Sequence, residues 1–123
     1  MAVAFAPPKE KLITGNELLA MGDIGPCELV DGRIVHMTPT GGEHGAIEFN
    51  LGGELRSFVR QRNLGWVMGG ETGIYIRRRP DTIRDADITF VSLRRLAKPT
   101  KGFLDVAPEL VCLSTDSYCT NTR

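Results

Sequence analysis

The sequence predicts an α+β domain in which a central mixed β-sheet carries an N-terminal hairpin and one long flanking helix. The hairpin is indicated by CELVDGRIVHM, where Asp31 and Gly32 separate two runs of strand-forming residues and favour a two-residue turn. The helix is indicated between residues 43 and 62, where apolar residues recur at spacings of four, four and three. Later runs of strand-forming residues complete the sheet.

The chain begins with an expected flexible arm and a short helix. Residues 1–11 contain Pro7 and Pro8 with scattered charges, a composition typical of a terminal arm. Thr14 and Glu17 have the T-x-x-E spacing of a capping box, which predicts a helix that starts there. Gly22 is expected to end this helix.

The long helix is expected to bury one apolar stripe against the sheet. His44 lies at the helix N-terminus, on the same side of the helix as this stripe. The pair Gly52 and Gly53 suggests close packing of helix on sheet, since each glycine costs about 1 kcal/mol in a helix interior. The stripe consists of Ile47, Leu51, Leu55 and Phe58.

The second half of the chain is expected to supply the remaining strands. A charged turn at residues 77–84 separates two of them, and a polar tail follows residue 113. The predicted domain therefore spans residues 12–113, between the arm and the tail. Strands are predicted at residues 66–68, 73–76, 86–91 and 108–113.

Composition limits the possible roles. With 123 residues, 41% of them hydrophobic, one domain is expected. Fifteen basic residues balance fifteen acidic ones, so no overall field attracts nucleic acid or a membrane. The odd count of three cysteines favours free thiols in the cytoplasm, and the absence of a long apolar run predicts that the protein does not span a membrane.

Asp87 is the leading candidate for a functional residue, because it interrupts an apolar strand. If the face of the strand that carries Asp87 is also covered, an isolated charge there is too costly to keep, and Asp87 must be paired, hydrogen-bonded or metal-bound. A Mg²⁺ or Mn²⁺ site would need further carboxylates from adjacent strands, and Glu71 on the preceding strand is the candidate. The alternatives are an ion pair of Asp87 with Arg84 or Arg77, and a solvated Glu71.

Other candidate residues precede Asp87 in the sequence. Glu28 could act as an acid, or it could pair with an arginine across the strands. His44 could orient water, or it could bond the loop at the helix N-terminus. His36 is expected to be exposed. An arginine-rich turn could contact nucleic acid, although such a run is more often a solvated face; it contains Arg77, Arg78, Arg79 and Arg84.

Four segments together resemble the bacterial Uma family of restriction-endonuclease-like proteins. They are CELVDGRIVHMTPTGGEHGAI, GWVMGGETGIYI, DTIRDADITFVSLRRL and GFLDVAPELV. The resemblance implies the PD-(D/E)XK nuclease fold, with a divalent-metal site on a mixed sheet and DNA as the substrate. It also implies matches of Glu28, His44 and Asp87 to family site residues, although Ala86 stands where the family has proline.

The C-terminal end departs from the resemblance. The family pattern places a second metal-binding glutamate three residues after Glu109, followed by a lysine, and neither occurs here. We therefore expect an incomplete fold, weak metal binding and little or no cleavage. An open sheet edge and uncovered apolar surface would favour self-association. The alternatives are a non-catalytic module that binds protein or nucleic acid, and a truncated fragment without activity.

Overall fold

The computed structural model describes residues 11–113 and 118–121, so most of the predicted arm lies outside the described residues. Two helices and six strands are described within these ranges. In chain order they are α1 (Gly15–Ala20), β1 (Cys27–Val30), β2 (Arg33–His36), α2 (Gly42–Arg62), β3 (Gly65–Arg77), β4 (Thr82–Ser92), β5 (Leu110–Leu113) and β6 (Tyr118–Asn121).

Strand β4 is the centre of a six-stranded sheet in the order β2-β1-β4-β5-β6, with β3 also paired to β4. Strand β3 follows β4 along one side, from Ser92 to Thr82. On the other side, β1 meets β4 at Ile83 and β5 pairs with residues 88–90. The segment between these two contacts, residues 84–87, has no strand partner on that side among the described residues.

The predicted α+β class is confirmed. All pairings between the described strands are antiparallel, and the expected mixed character is limited to one isolated parallel bridge between Ile74 and Leu104. The described residues include no helix long and apolar enough to cross a membrane.

The two local motifs near the N-terminus form as predicted. The Thr14 hydroxyl accepts a hydrogen bond from the Glu17 amide at 3.1 Å, and the Glu17 carboxylate accepts one from the Thr14 amide at 3.2 Å. The β1–β2 hairpin turns at Asp31 and Gly32, whose φ angles are 49° and 77°. Positive φ at both positions is what a type I′ turn requires.

The strands before β4 differ from the prediction. Residues 66–68 and 73–76 belong to one strand, β3, rather than to two. Gly69 and Gly70 do not break the strand, because the chain passes through a register shift between Gly69 and Thr72. The charged turn is correspondingly short and lies between β3 and β4.

The tail also differs. Strand β6 pairs with β5, so the prediction of a loose tail is wrong for residues 118–121. The register places Cys112 opposite Cys119, and Cys112 is disulfide-bonded. The prediction that all three cysteines are free is therefore wrong for Cys112, because the β5–β6 hairpin brings two cysteine positions face to face; Cys27 is a free thiol.

Helix α2 lies over β3 and β4, but it is rotated from the predicted orientation. Ile47, Leu51 and Phe58 remain 49%, 39% and 50% exposed, so the predicted stripe is wrong as the buried face. The residues turned inward include His44, Glu48 and Gly52, with Val59 buried in the last turns. At Gly52 a Cβ atom would lie 3.5 Å from Ile88, so the helix does approach the sheet closely there.

Candidate metal centre

Asp87 lies in the middle of β4, at the boundary between sheet and helix. Its carboxylate is 17% exposed, while its neighbours Ala86 and Ile88 are buried. The predicted ion pairs of Asp87 do not form, since Arg84 pairs with Glu28 and Arg77 with Asp31.

Helix α2 brings two further ligand groups to Asp87. His44 and Glu48 are four residues apart, so their side chains lie on the same face of the helix. The His44 Nε2 atom is 3.1 Å from a Glu48 carboxylate oxygen and 3.8 Å from an Asp87 carboxylate oxygen. One potential ligand atom from each of the three residues lies within 4.8 Å of the other two.

The His44 Nε2 atom is buried and has no hydrogen-bond partner in the described structure. Its approach to Glu48 is short, but the angle is not that of a hydrogen bond. A buried polar atom without a partner is costly, and a cation between imidazole and two carboxylates would satisfy all three groups. Two oxygen donors and one nitrogen donor are a ligand set that divalent metals accept in proteins.

A β-bulge lies directly across from Asp87. Ile88 pairs with Gly69 and Ala86 pairs with Thr72, so Gly70 and Glu71 together oppose Asp87. Both bulge residues have φ near 67°, a left-handed conformation that is unfavourable for glutamate. The bulge turns the exposed Glu71 toward the cavity that Asp87 also lines, although Glu71 is not one of the three clustered ligands.

Asp85 adds a further negative charge to this region. Burial, followed by the charges of Glu28, Glu71 and Asp87, raises the pKa of Asp85 to about 6, and Arg84 opposes the shift. The neighbouring carboxylates therefore make ionisation of Asp85 unfavourable. A bound cation would relieve this repulsion.

Glu28 has the arginine partner that the alternative interpretation expected. Its carboxylate accepts a 2.7 Å hydrogen bond from Arg84 Nε and a 2.9 Å bond from the Asp85 amide. Glu28 thereby ties β1 to the part of β4 that has no other partner on that side. It still lines a cavity of about 130 Å³ together with Glu71, Asp85 and Asp87.

The charged turn lies before the start of β4 at Thr82. Five residue steps along the strand lead from Thr82 to Asp87, a distance of about 17 Å. Arg77 pairs with Asp31, and Arg78 pairs with Asp105 at 2.7 Å while stacking on Tyr75. These contacts tie the turn between β3 and β4 to neighbouring loops. Arg84, in contrast, lines a cavity with Asp87.

Glu109 and Cys112 both have other bonding partners. Glu109 accepts a 2.9 Å hydrogen bond from the Ser92 amide and pairs with Arg95 at 3.2 Å, so it fastens the start of β5. Cys112 occupies the position where the resemblance implies the second metal-binding glutamate, and its sulfur is engaged in a disulfide. Within the described chain, no lysine lines the cavities that contain Asp87.

Glu48 and Asp85 are the site residues that the sequence reasoning missed. The four-residue spacing from His44 to Glu48 was the available signal, because it places two ligands on one helical face. The assumed apolar stripe turned Glu48 away from the sheet. Asp85 alternates with Asp87 along β4, and that spacing of two was the signal for a second acid on the same face.

A second cavity, of about 640 Å³, extends from the metal cluster along α2. Its walls are the inner face of α2 and the strands β3 and β4, and its surface is mainly apolar. Asp87 and Glu48 lie at one end and Arg56 lies farther along the helix. The cluster of His44, Glu48 and Asp87 is therefore reached from two sides, through the small acidic cavity and through this longer groove.

Comparison with known protein families identifies a match over most of the chain. The model of the Uma2 family, described as "Putative restriction endonuclease", matches residues 16–112. This range contains nearly all of α1 and β5 and every element between them, and it includes His44, Glu48 and Asp87. No curated protein matches the chain.

Proposed function

Because the chain belongs to the Uma2 family of nuclease-like proteins, we propose that it is a divalent-metal-dependent endonuclease domain that hydrolyses phosphodiester bonds in DNA. One observation carries this proposal. The buried His44 Nε2 atom lacks a hydrogen-bond partner among the described residues and converges with the carboxylates of Glu48 and Asp87.

His44, Glu48 and Asp87 are the residues that would hold the cation. Mg²⁺ prefers oxygen ligands only, whereas transition ions accept imidazole nitrogen. The ligand set therefore favours Mn²⁺ over Mg²⁺. When bound, such an ion neutralises developing charge on the phosphate and lowers the pKa of a coordinated water.

The protein itself would supply position and a proton acceptor. The bulge at Glu71 and the ion pair of Glu28 with Arg84 fix the shape of the small acidic cavity. Asp85 lines that cavity, and its raised pKa makes it a better proton acceptor than an ordinary aspartate near neutral pH. Arg84, on the rim, would attract the phosphodiester.

Turnover is expected to be slow. The position implied for a second strand carboxylate is Cys112, and the described part of the cavities contains no lysine. The chain therefore lacks, among its described residues, the usual means of activating water and stabilising the leaving group. The same observation favours a second candidate function, a non-catalytic module that binds nucleic acid or a partner protein at this site.

The first test is nicking of supercoiled plasmid in Mn²⁺, in Mg²⁺ and in EDTA. We expect slow nicking that is faster in Mn²⁺ than in Mg²⁺ and absent in EDTA. Asp87→Asn and Glu48→Gln should each lower the rate at least about tenfold. Glu54→Gln is the matched control, since Glu54 lies on the same helix and is exposed.

Two outcomes would contradict the proposal. If Asp87→Asn nicks at the wild-type rate, the activity does not belong to this site. If no metal supports nicking by the wild-type chain, the non-catalytic module is the better account.

A further inference from the structure

The longer groove offers a surface that the metal cluster alone does not use. It starts at Glu48 and Asp87 and passes along α2 to Arg56. A third cavity, of about 270 Å³, continues from Arg56 to Arg60 and Trp66. Because Arg56 lines both cavities, they form one path that leads away from the metal cluster.

The groove is open because its helix wall carries glycine. A Cβ atom at Gly53 or at Gly45 would meet no other atom within 4 Å. Both glycines nevertheless cost helix stability, by about 1 kcal/mol each relative to alanine. Packing does not require them, so the space that they leave is their evident structural effect.

The groove has apolar walls and cations at its far end. Phe49 lies on the rim and is 84% exposed, and the floor includes Val67 and Ile88. Arg56 and Arg60 are one helical turn apart, about 6 Å between Cβ atoms. The structure shows no ion pair for either side chain among the described residues.

We propose that this groove binds a single-stranded segment of nucleic acid, and this proposal rests on the function proposed above. A volume of about 640 Å³ is that of a small-molecule pocket and accommodates roughly one or two nucleotides. The apolar walls and Phe49 suit the faces of unpaired bases, which a duplex keeps stacked inside. Arg56 and Arg60 suit the phosphates of one strand.

This arrangement defines the substrate class of the candidate nuclease. An unpaired strand that lies in the groove, with its phosphates at Arg56 and Arg60, leads directly to the cluster of His44, Glu48 and Asp87. The preferred substrate is then a single strand, or an unpaired flap next to a duplex. Arg77 and Arg78 of the arginine-rich turn are paired with acids and take no part in this contact.

The test is fluorescence anisotropy with a fluorescein-labelled dT12 oligonucleotide and a 12-base-pair duplex, in EDTA and again in Ca²⁺. We expect the single strand to bind at least about tenfold more tightly than the duplex. Phe49→Ala should weaken single-strand binding about tenfold. The double variant Arg56→Ala/Arg60→Ala should do the same and should also flatten its salt dependence.

Gly53→Leu tests the groove without removing a contact. The added side chain fills the open space and should weaken binding about tenfold while leaving the helix at least as stable. Arg62→Ala and Asn50→Leu are the controls, because both residues lie on α2 outside the groove; each should change affinity by less than about twofold. Circular dichroism confirms that every variant is folded.

The proposal is overturned if duplex binds as tightly as single strand, or if the control variants weaken binding as much as the groove variants. Anisotropy does not depend on cleavage, so Asp87→Asn should still bind the single strand in EDTA. Nicking of plasmid without a single-strand preference would keep the proposed function and overturn this inference. Single-strand binding without nicking would keep this inference and overturn the proposed function.

Discussion

Asp85 shows how the charge of single residues adds up around the candidate metal centre. Four carboxylates, those of Glu28, Glu71, Asp85 and Asp87, line one small cavity with a single arginine. Burial and three neighbouring charges raise the pKa of Asp85 to about 6. The metal-free protein therefore carries a carboxylate that is more favourably protonated in the folded state than in the unfolded chain.

The sign of the resulting pH dependence follows from that shift. The folded pKa of about 6 exceeds the ordinary aspartate pKa of 3.8 that applies to the unfolded chain. Protonated Asp85 therefore stabilises the folded state. This contribution is fully present below pH 3.8 and is lost as the pH rises through about 6. Asp85→Asn removes the charge, so in EDTA the variant should be more stable than wild type at about pH 8 and should lose that advantage near pH 4.

Urea denaturation at the two pH values measures this difference. Asp105→Asn is the control, since Asp105 is exposed and pairs with Arg78 on the surface. A stability difference for Asp85→Asn that does not change with pH would contradict this account of the acidic cavity.

At the scale of elements, helix α2 determines what the site contains. Its inner face brings His44 and Glu48 over β4, while three of the four residues of its predicted apolar stripe face outward. An apolar period identifies a helix, but it does not show which of two adjacent faces meets the sheet. The existence and bounds of this helix were predictable, whereas its rotation was not, and Glu48 was missed for that reason.

The strand β3 shows a similar limit. The sequence predicts two strands, at residues 66–68 and 73–76, with Gly69 and Gly70 between them, and glycine pairs are typical of loops. In the structure the same residues form a bulge that keeps β3 continuous and points Glu71 at the site. A bulge depends on pairing with a partner strand, so local sequence alone does not distinguish it from a loop. Asp87 on its strand, His44 at the helix start and the hairpin were all predictable from local patterns.

Two glycines give a prediction about elements. Gly53 has open space around its Cβ position, so Gly53→Ala should raise the free energy of unfolding by about 1 kcal/mol. Gly65 has φ of 158°, and its Cβ would lie 2.1 Å from the Val91 carbonyl oxygen. Gly65→Ala should therefore lower that free energy by about 2 kcal/mol or more.

Urea denaturation of the two variants and wild type provides the comparison. Equal effects at the two positions would show that α2 does not leave the open groove described here.

At the scale of the whole molecule, the outer face of α2 carries an exposed apolar surface. Ile47, Leu51 and Phe58 are all more than one third exposed and lie along one side of the helix. A contiguous exposed apolar surface usually marks an interaction site. We propose that a second copy of the chain covers it, in keeping with the self-association expected from the sequence.

Sedimentation velocity over a range of protein concentrations tests this interface. The wild-type chain should shift from monomer to dimer as its concentration rises. Ile47→Glu and Phe58→Glu should each keep it monomeric, while Glu43→Gln, an exposed substitution at the start of the same helix, should not. A wild-type chain that stays monomeric at all concentrations would rule the interface out.

The central claim is that His44, Glu48 and Asp87 form one divalent-metal site, and isothermal titration of metal-free protein with Mn²⁺ tests it most directly. We predict one site per chain that binds Mn²⁺ more tightly than Mg²⁺. Asp87→Asn, Glu48→Gln and His44→Ala should each weaken binding at least about tenfold, whereas Glu54→Gln should not. Binding that is unchanged in all three ligand variants, or absent from the wild-type chain, would contradict the claim.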